Sequence, residues 1–75
     1  MELNEFVEAF AAEFDDTPIE AFTPETKFRE LDEWSSLTAL SIIAIVDELF
    51  DKRLTGADIR SVNTINELYS LIIKK

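Results

Sequence analysis

Between Leu37 and Phe50, ten of fourteen residues are apolar, and neither Gly nor Pro interrupts them. The run is too long for one strand and falls short of the ~20 residues of a membrane span, which leaves a helix packed in a core. At about 100° per residue it divides into two sides. Ala39, Ile42, Ile43, Val46, Leu49 and Phe50 share one broad side, with Ile45 at its edge, and this is the expected core face. Leu37, Leu40 and Ala44 fall opposite, alongside Ser41, Asp47, Glu48 and Asp51. That second side is apolar at its start and acidic at its end. Two readings are open for it. It packs against a loop, with Trp34 or Phe28 covering Leu37, or it contacts a partner through apolar groups for affinity and acids for steering.

The flanking segments also read as helices. In residues 3–14, Leu3, Phe6, Val7, Phe10 and Phe14 recur at steps of three and four, and Glu2 and Glu5 sit where the helix dipole favours acids. Asp15-Asp16-Thr17-Pro18 ends that helix, because proline disfavours helix at the residue before it. Residues 15–35 form a long connection. In it, Thr17-Pro18 and Thr23-Pro24 each read as a cap followed by proline at the first helical position. Ile19, Phe22, Phe28, Leu31 and Trp34 are expected to pin the connection to the core.

Residues 55–62 predict a short third helix opened by Thr55-Gly56-Ala57-Asp58, with Ile59 and Val62 inward. Residues 64–73 predict a fourth. Thr64-Ile65-Asn66-Glu67 caps it, Ile65, Leu68, Tyr69 and Ile72 form its buried stripe, and Lys74 and Lys75 suit its C-terminal end. No strand pattern competes. The expected fold is all-α: one domain over residues 1–75, a small four-helix bundle with a long loop between helices 1 and 2 and a short third helix. A core of this size supplies only about 3–5 kcal/mol.

Composition narrows the chemistry. The chain has no Cys and no His, so it offers no disulfide, thiolate, imidazole base or histidine metal ligand. Sixteen acids against seven bases give a net charge of −9, which argues against nucleic acid as a partner. The charge is uneven, since Lys27 and Arg29 are the only bases before residue 52. The acidic start is unlike a signal peptide, and no stretch is long enough to span a membrane, so a soluble, cytoplasmic protein with basic partner surfaces is expected. Asp15-Asp16 and Asp32-Glu33 do not have the alternating oxygens and distal Glu of a calcium loop. No nucleophile–base pair suggests an enzyme.

One hydroxyl stands out. Ser36, in Glu33-Trp34-Ser35-Ser36-Leu37-Thr38-Ala39-Leu40, lies where the long loop meets the apolar helix. Serine before a helix is ordinary N-capping, with Ser35 as the cap and Ser36 in the first turn. The same position suits a covalently attached phosphate, facing free N–H groups and the positive end of the dipole.

Trp34-Ser35-Ser36-Leu37, followed by an apolar helix ending Asp47-Glu48-Leu49-Phe50-Asp51, resembles an acyl carrier protein. Thr23-Pro24-Glu25-Thr26-Lys27-Phe28-Arg29-Glu30-Leu31 is similar to that family's approach to its serine, and residues 58–65 are similar to its third helix and the start of its fourth. The resemblance implies a monomeric, non-catalytic carrier. Ser36 aligns with the serine that receives 4′-phosphopantetheine from coenzyme A through a separate Mg²⁺-dependent phosphopantetheinyl transferase. The arm brings its own thiol, on which acyl or related groups ride as thioesters in fatty-acid, polyketide or related biosynthesis.

The resemblance also implies that acyl-processing enzymes with basic docking patches recognise the second helix. That assigns apolar contacts to Leu37, Leu40, Ala44 and Leu54, and acidic ones to Asp47, Glu48 and Asp51. A long cargo would shelter against Ile42, Ile43, Val46, Leu68 or Ile72. The chain departs from the family at Ser35, where Asp is usual, at Trp34, near which a Gly-x-Asp turn is frequent, and at Ser41, where an acid is common. A specialised carrier fits these residues as well as a fatty-acid one. The competing reading is an acidic helical interaction module with no prosthetic group; an acidic mimic docked on a nucleic-acid-binding protein is a further one.

Overall fold

Four capping boxes set the helix starts in the computed structural model, which describes all 75 residues. Helix α1 spans Leu3–Ala11, α2 Ser36–Phe50, α3 Gly56–Arg60 and α4 Ile65–Lys74, and there is no strand. At α3 and α4 the boxes are the predicted ones. Thr55 Oγ1 accepts the Asp58 N–H at 3.1 Å, and Thr64 Oγ1 accepts the Glu67 N–H at 3.1 Å. The box of α1 pairs Glu2 with Glu5, whose carboxylate accepts the Glu2 N–H at 2.8 Å. Each box satisfies donors that a helix start otherwise leaves free.

The bundle has an entirely apolar core of 14 buried residues. From α1 come Phe6, Val7, Phe10 and Ala11, from α2 Ile42 and Val46, from α3 Ile59, and from α4 Ile65, Leu68 and Ile72. All eight aromatic rings form one connected network. It runs from Phe50 and Tyr69 at one end, through Phe6, Phe10 and Phe14, to Phe22, Phe28 and Trp34 at the other. Edge-on and offset pairs of this kind contribute beyond their buried area.

Helix α1 stops earlier than predicted. After Ala11 the Glu13 and Phe14 N–H groups bond three residues back, to Phe10 and Ala11, and this tighter turn keeps Phe14 in the core. Helix α3 likewise closes at Arg60, with the Ser61 N–H on Ala57 and Asp58.

The long connection is not structureless. It holds two single 3₁₀ turns, Ile19–Ala21 and Phe28–Glu30. Pro18 caps the first instead of standing inside it, and the Thr17 hydroxyl donates to Glu33 Oε1 instead of capping. Thr23-Pro24 starts no helix; Thr26 closes a turn on Thr23, with N–H to carbonyl at 3.0 Å. Ile19 is the anchor that fails. It is 59% exposed, because the 3₁₀ turn points it outward and delivers Phe22 to the core, against Phe10 and Phe14.

The middle of the connection is tied to the α3–α4 joint. Ile65 N–H donates to Thr26 O at 3.2 Å and Asn66 N–H to Pro24 O at 2.9 Å. The Arg29 guanidinium donates to Val62 O and Asn63 Oδ1, both at 2.8 Å.

Candidate functional site

Trp34 fixes where the loop ends. Its indole stacks on Phe10 and Phe14 and meets Phe28 edge-on at 5.1 Å. One residue earlier, Glu33 accepts the Asp16 N–H at 3.0 Å and the Thr17 hydroxyl. The Thr17 hydroxyl is the main cause that holds the Glu33 carboxyl below its usual pKa, against a smaller opposing effect of burial. The two residues before Ser35 are therefore anchored to the body of the protein.

Ser35 is the cap of α2. Its Oγ accepts the Thr38 N–H at 3.4 Å, and Thr38 Oγ1 accepts the Ser35 N–H at 2.7 Å. Ser-x-x-Thr lacks the Glu or Gln of the usual box, so no motif signals Thr38's part. Ser36 is the first residue of the helix and exposed, and no hydrogen bond engages its hydroxyl. Of the adjacent serines, one is committed to structure and the other is free.

The second face of α2 is uncovered. Leu37 is 75% exposed and Leu40 62% exposed, so neither Trp34 nor Phe28 covers Leu37. Ala44, Asp47, Glu48 and Asp51 are exposed too. At helical spacing these six residues form one stripe, about 20 Å long at 1.5 Å per residue. No group of three or more acidic side chains is arranged to hold a metal ion.

Two expectations about this helix are corrected. Leu54 is 2% exposed and belongs to the core, so it offers no surface contact. The cause is Asp51, whose left-handed backbone (φ 54°, ψ 41°) reverses the chain and brings Leu54 back inside. Leu49, expected in the core, is 45% exposed. In this last turn Phe50 takes the inward position, with its ring against Phe6 at 5.6 Å and Tyr69 at 6.2 Å.

The interior has no chamber ready for a long cargo. Ile42, Val46, Leu68 and Ile72 are fully buried and line no cavity. Ile43 alone of the predicted group borders an open pocket of about 290 Å³, with Ala44, Asp47, Arg53 and Leu54.

A larger groove, about 420 Å³, opens directly beside Ser36. Trp34, Ala39 and Ile59 are its apolar lining, and Arg29 and Arg60 also border it. The two arginines stand 31 positions apart, and the fold alone brings them to one serine; no sequence motif signals the pairing.

The chain matches no family model, no curated protein and no solved structure in comparisons with known proteins.

Proposed function

We propose that this chain is a carrier protein that holds acyl or related groups on a 4′-phosphopantetheine arm attached to Ser36. One observation carries the reading: an exposed serine hydroxyl without a protein partner, at the start of a helix whose adjoining apolar-to-acidic face is uncovered. A residue modified by a separate enzyme needs access and a fixed position, not a neighbouring base. Trp34 and the Ser35–Thr38 box supply the position.

The groove residues suit the group chemically. Its walls contain two guanidiniums and no carboxylate, in a chain where acids outnumber bases, and the arm begins with a phosphodiester anion. When bound, the arm supplies the thiol that the chain lacks. In loading, the Ser36 Oγ–P bond forms as the pyrophosphate bond of coenzyme A breaks. Adenosine 3′,5′-bisphosphate leaves, and the hydroxyl proton passes to the transferase. Leu37, Leu40 and Ala44 then give partner enzymes an apolar contact, while Asp47, Glu48 and Asp51 steer basic patches.

Intact mass after incubation with a broad-specificity phosphopantetheinyl transferase, Mg²⁺ and coenzyme A tests this. The expected result is a gain of one phosphopantetheinyl group, retained in Ser35→Ala and lost in Ser36→Ala. No gain with several transferases, in protein shown to be folded, overturns the carrier and leaves the acidic helical interaction module, which would use the same uncovered face.

A further inference from the structure

The groove beside Ser36 has a composition that the rest of the chain does not predict. Acids outnumber bases sixteen to seven, yet the eight residues lining it include Arg29 and Arg60 and no acid. Neither arginine pairs with a carboxylate, because the one ion pair in the structure is Lys75–Asp58 at 2.9 Å. Arg29 spends one guanidinium nitrogen on Val62 and Asn63, which fixes it at the groove edge and leaves its other donors free. Arg60 folds back over the first turn of α3. A Cβ built on Gly56, the only glycine, would lie 3.3 Å from an Arg60 terminal nitrogen, so the missing side chain leaves room for the guanidinium. The apolar part of the lining includes the only tryptophan.

We infer that this groove docks the near half of the arm on Ser36, with Arg60 and Arg29 holding the phosphodiester and Trp34 and Ala39, both partly exposed, meeting the geminal dimethyl group that follows it. The inference rests on the carrier reading and assigns that site its holding residues. The occupant is identified by order of chemistry. An anion bonded to Ser36 Oγ comes first, a compact apolar group second and amides after that, matching a lining that combines guanidiniums with apolar side chains. Guanidinium forks bind phosphate oxygens in directed pairs, which a lysine would not reproduce. The tether adds an effective concentration in the millimolar range, so contacts too weak to capture a free ligand still hold an attached one. Because both arginines are exposed, added salt weakens the docking. Arg29 and Arg60 act here as positioning residues that limit the sweep of the arm.

The test is NMR on the holo protein, beside holo Arg60→Gln, holo Arg29→Lys and, as a control off the groove, holo Leu40→Ala. Mass spectrometry first establishes one group on Ser36 in each, and amide spectra establish the fold. The expected result in the parent and in Leu40→Ala is a set of nuclear Overhauser contacts from the geminal methyls to the Trp34 indole and the Ala39 methyl. A ³¹P resonance displaced from that of the same phosphodiester in the urea-unfolded holo protein should accompany them. Arg60→Gln should lose the contacts and move the ³¹P signal to its position in the unfolded holo protein, and Arg29→Lys should weaken both. A loaded, folded parent whose arm signals match those of the urea-unfolded holo protein overturns the docking while leaving the carrier intact. Contacts that survive unchanged in folded, loaded Arg60→Gln overturn the role of the arginine. A parent that never accepts the group removes the carrier reading and this inference with it, a failure that mass alone distinguishes.

Discussion

Leu54 and Leu37 lie at the two ends of the exposure scale and test which face of α2 is uncovered. Leu54 is 2% exposed and Leu37 75% exposed. Truncating a buried leucine to alanine costs about 2–5 kcal/mol, transfer and cavity terms together. Leu37 hides only a quarter of its surface. The ~1.5–3 kcal/mol for full burial therefore scales to a ceiling of about 0.4–0.8 kcal/mol. Against a total of about 3–5 kcal/mol, Leu54→Ala removes half or more of the stability, whereas Leu37→Ala leaves most of it. Urea unfolding followed by far-UV circular dichroism measures both. With a slope near 1 kcal/mol/M, the midpoint should fall by about 2 M or more for Leu54→Ala and by less than about 1 M for Leu37→Ala. Leu54→Val, costing about 1 kcal/mol, keeps the comparison readable if the alanine variant does not fold. Equal shifts, or a larger one at Leu37, would refute the placement of both residues and with it the argument that the second face of α2 is free.

Other perturbations report on features away from that face. Asp51→Gly should raise the melting temperature by about 4–8 °C, since roughly 1 kcal/mol of left-handed strain is relieved, and Asp51→Asn should give a smaller gain; a lower value for glycine would contradict the backbone account. The Glu67 carboxyl is held low by the Asn63 and Thr64 N–H groups, the Glu33 carboxyl by the Thr17 hydroxyl, and the Asp58 carboxyl by Lys75. A lowered folded pKa means stability that is present above the unfolded values of 4.5 and 3.8 and lost as pH falls through the folded ones. In denaturant melts from pH 6 to about pH 3, Glu67→Gln should therefore flatten the acid-side decline, and an unchanged slope would contradict its part in it. If Ser36 takes the proposed arm, an acyl series on it should show no rise in melting temperature until the chain is long enough to offset an opening cost of about 1–3 kcal/mol, at ~0.8 kcal/mol per buried CH₂; a rise already present with a two-carbon cargo would show that room exists inside.

The parts of the fold legible in the sequence are those encoded locally. Thr55 with Asp58 and Thr64 with Glu67 announce two helices within four residues each, and the apolar spacing of Ile42 and Val46 announces the buried side of α2. What escaped depends on where the chain goes after an element ends. Leu54 follows α2 closely enough to look like its continuation, and only the reversal at Asp51 puts it inside. Leu49 has a core position by angle, but Phe50 holds the ring contacts in that last turn. Ile19 is as apolar as Phe22, and a single 3₁₀ turn decides which of them enters. The candidate serine was legible because its context is a short run, Trp34 to Leu37. Its arginine neighbours were not, because Arg29 and Arg60 meet only after α3 packs beside the loop.

The arrangement around Ser36 divides constraint from freedom within four residues. Glu33 and Trp34 are held by Asp16, Thr17, Phe10, Phe14 and Phe28, so the chain reaches Ser35 in a set position. Ser35 and Thr38 then satisfy each other. Beyond them no contact is asked of Ser36, and Leu37 is left uncovered. An attachment point requires both halves of this. A mobile loop would present the hydroxyl at the cost of its position, and a buried cap would hold the position and hide the hydroxyl. The core cannot share the second task, since its tightest members are fully enclosed and border no cavity. On the proposed carrier reading, choice of partner and hold on the arm would therefore fall to the surface on either side of Ser36: the leucine-to-acid stripe of α2, and the arginine-bearing groove against α3.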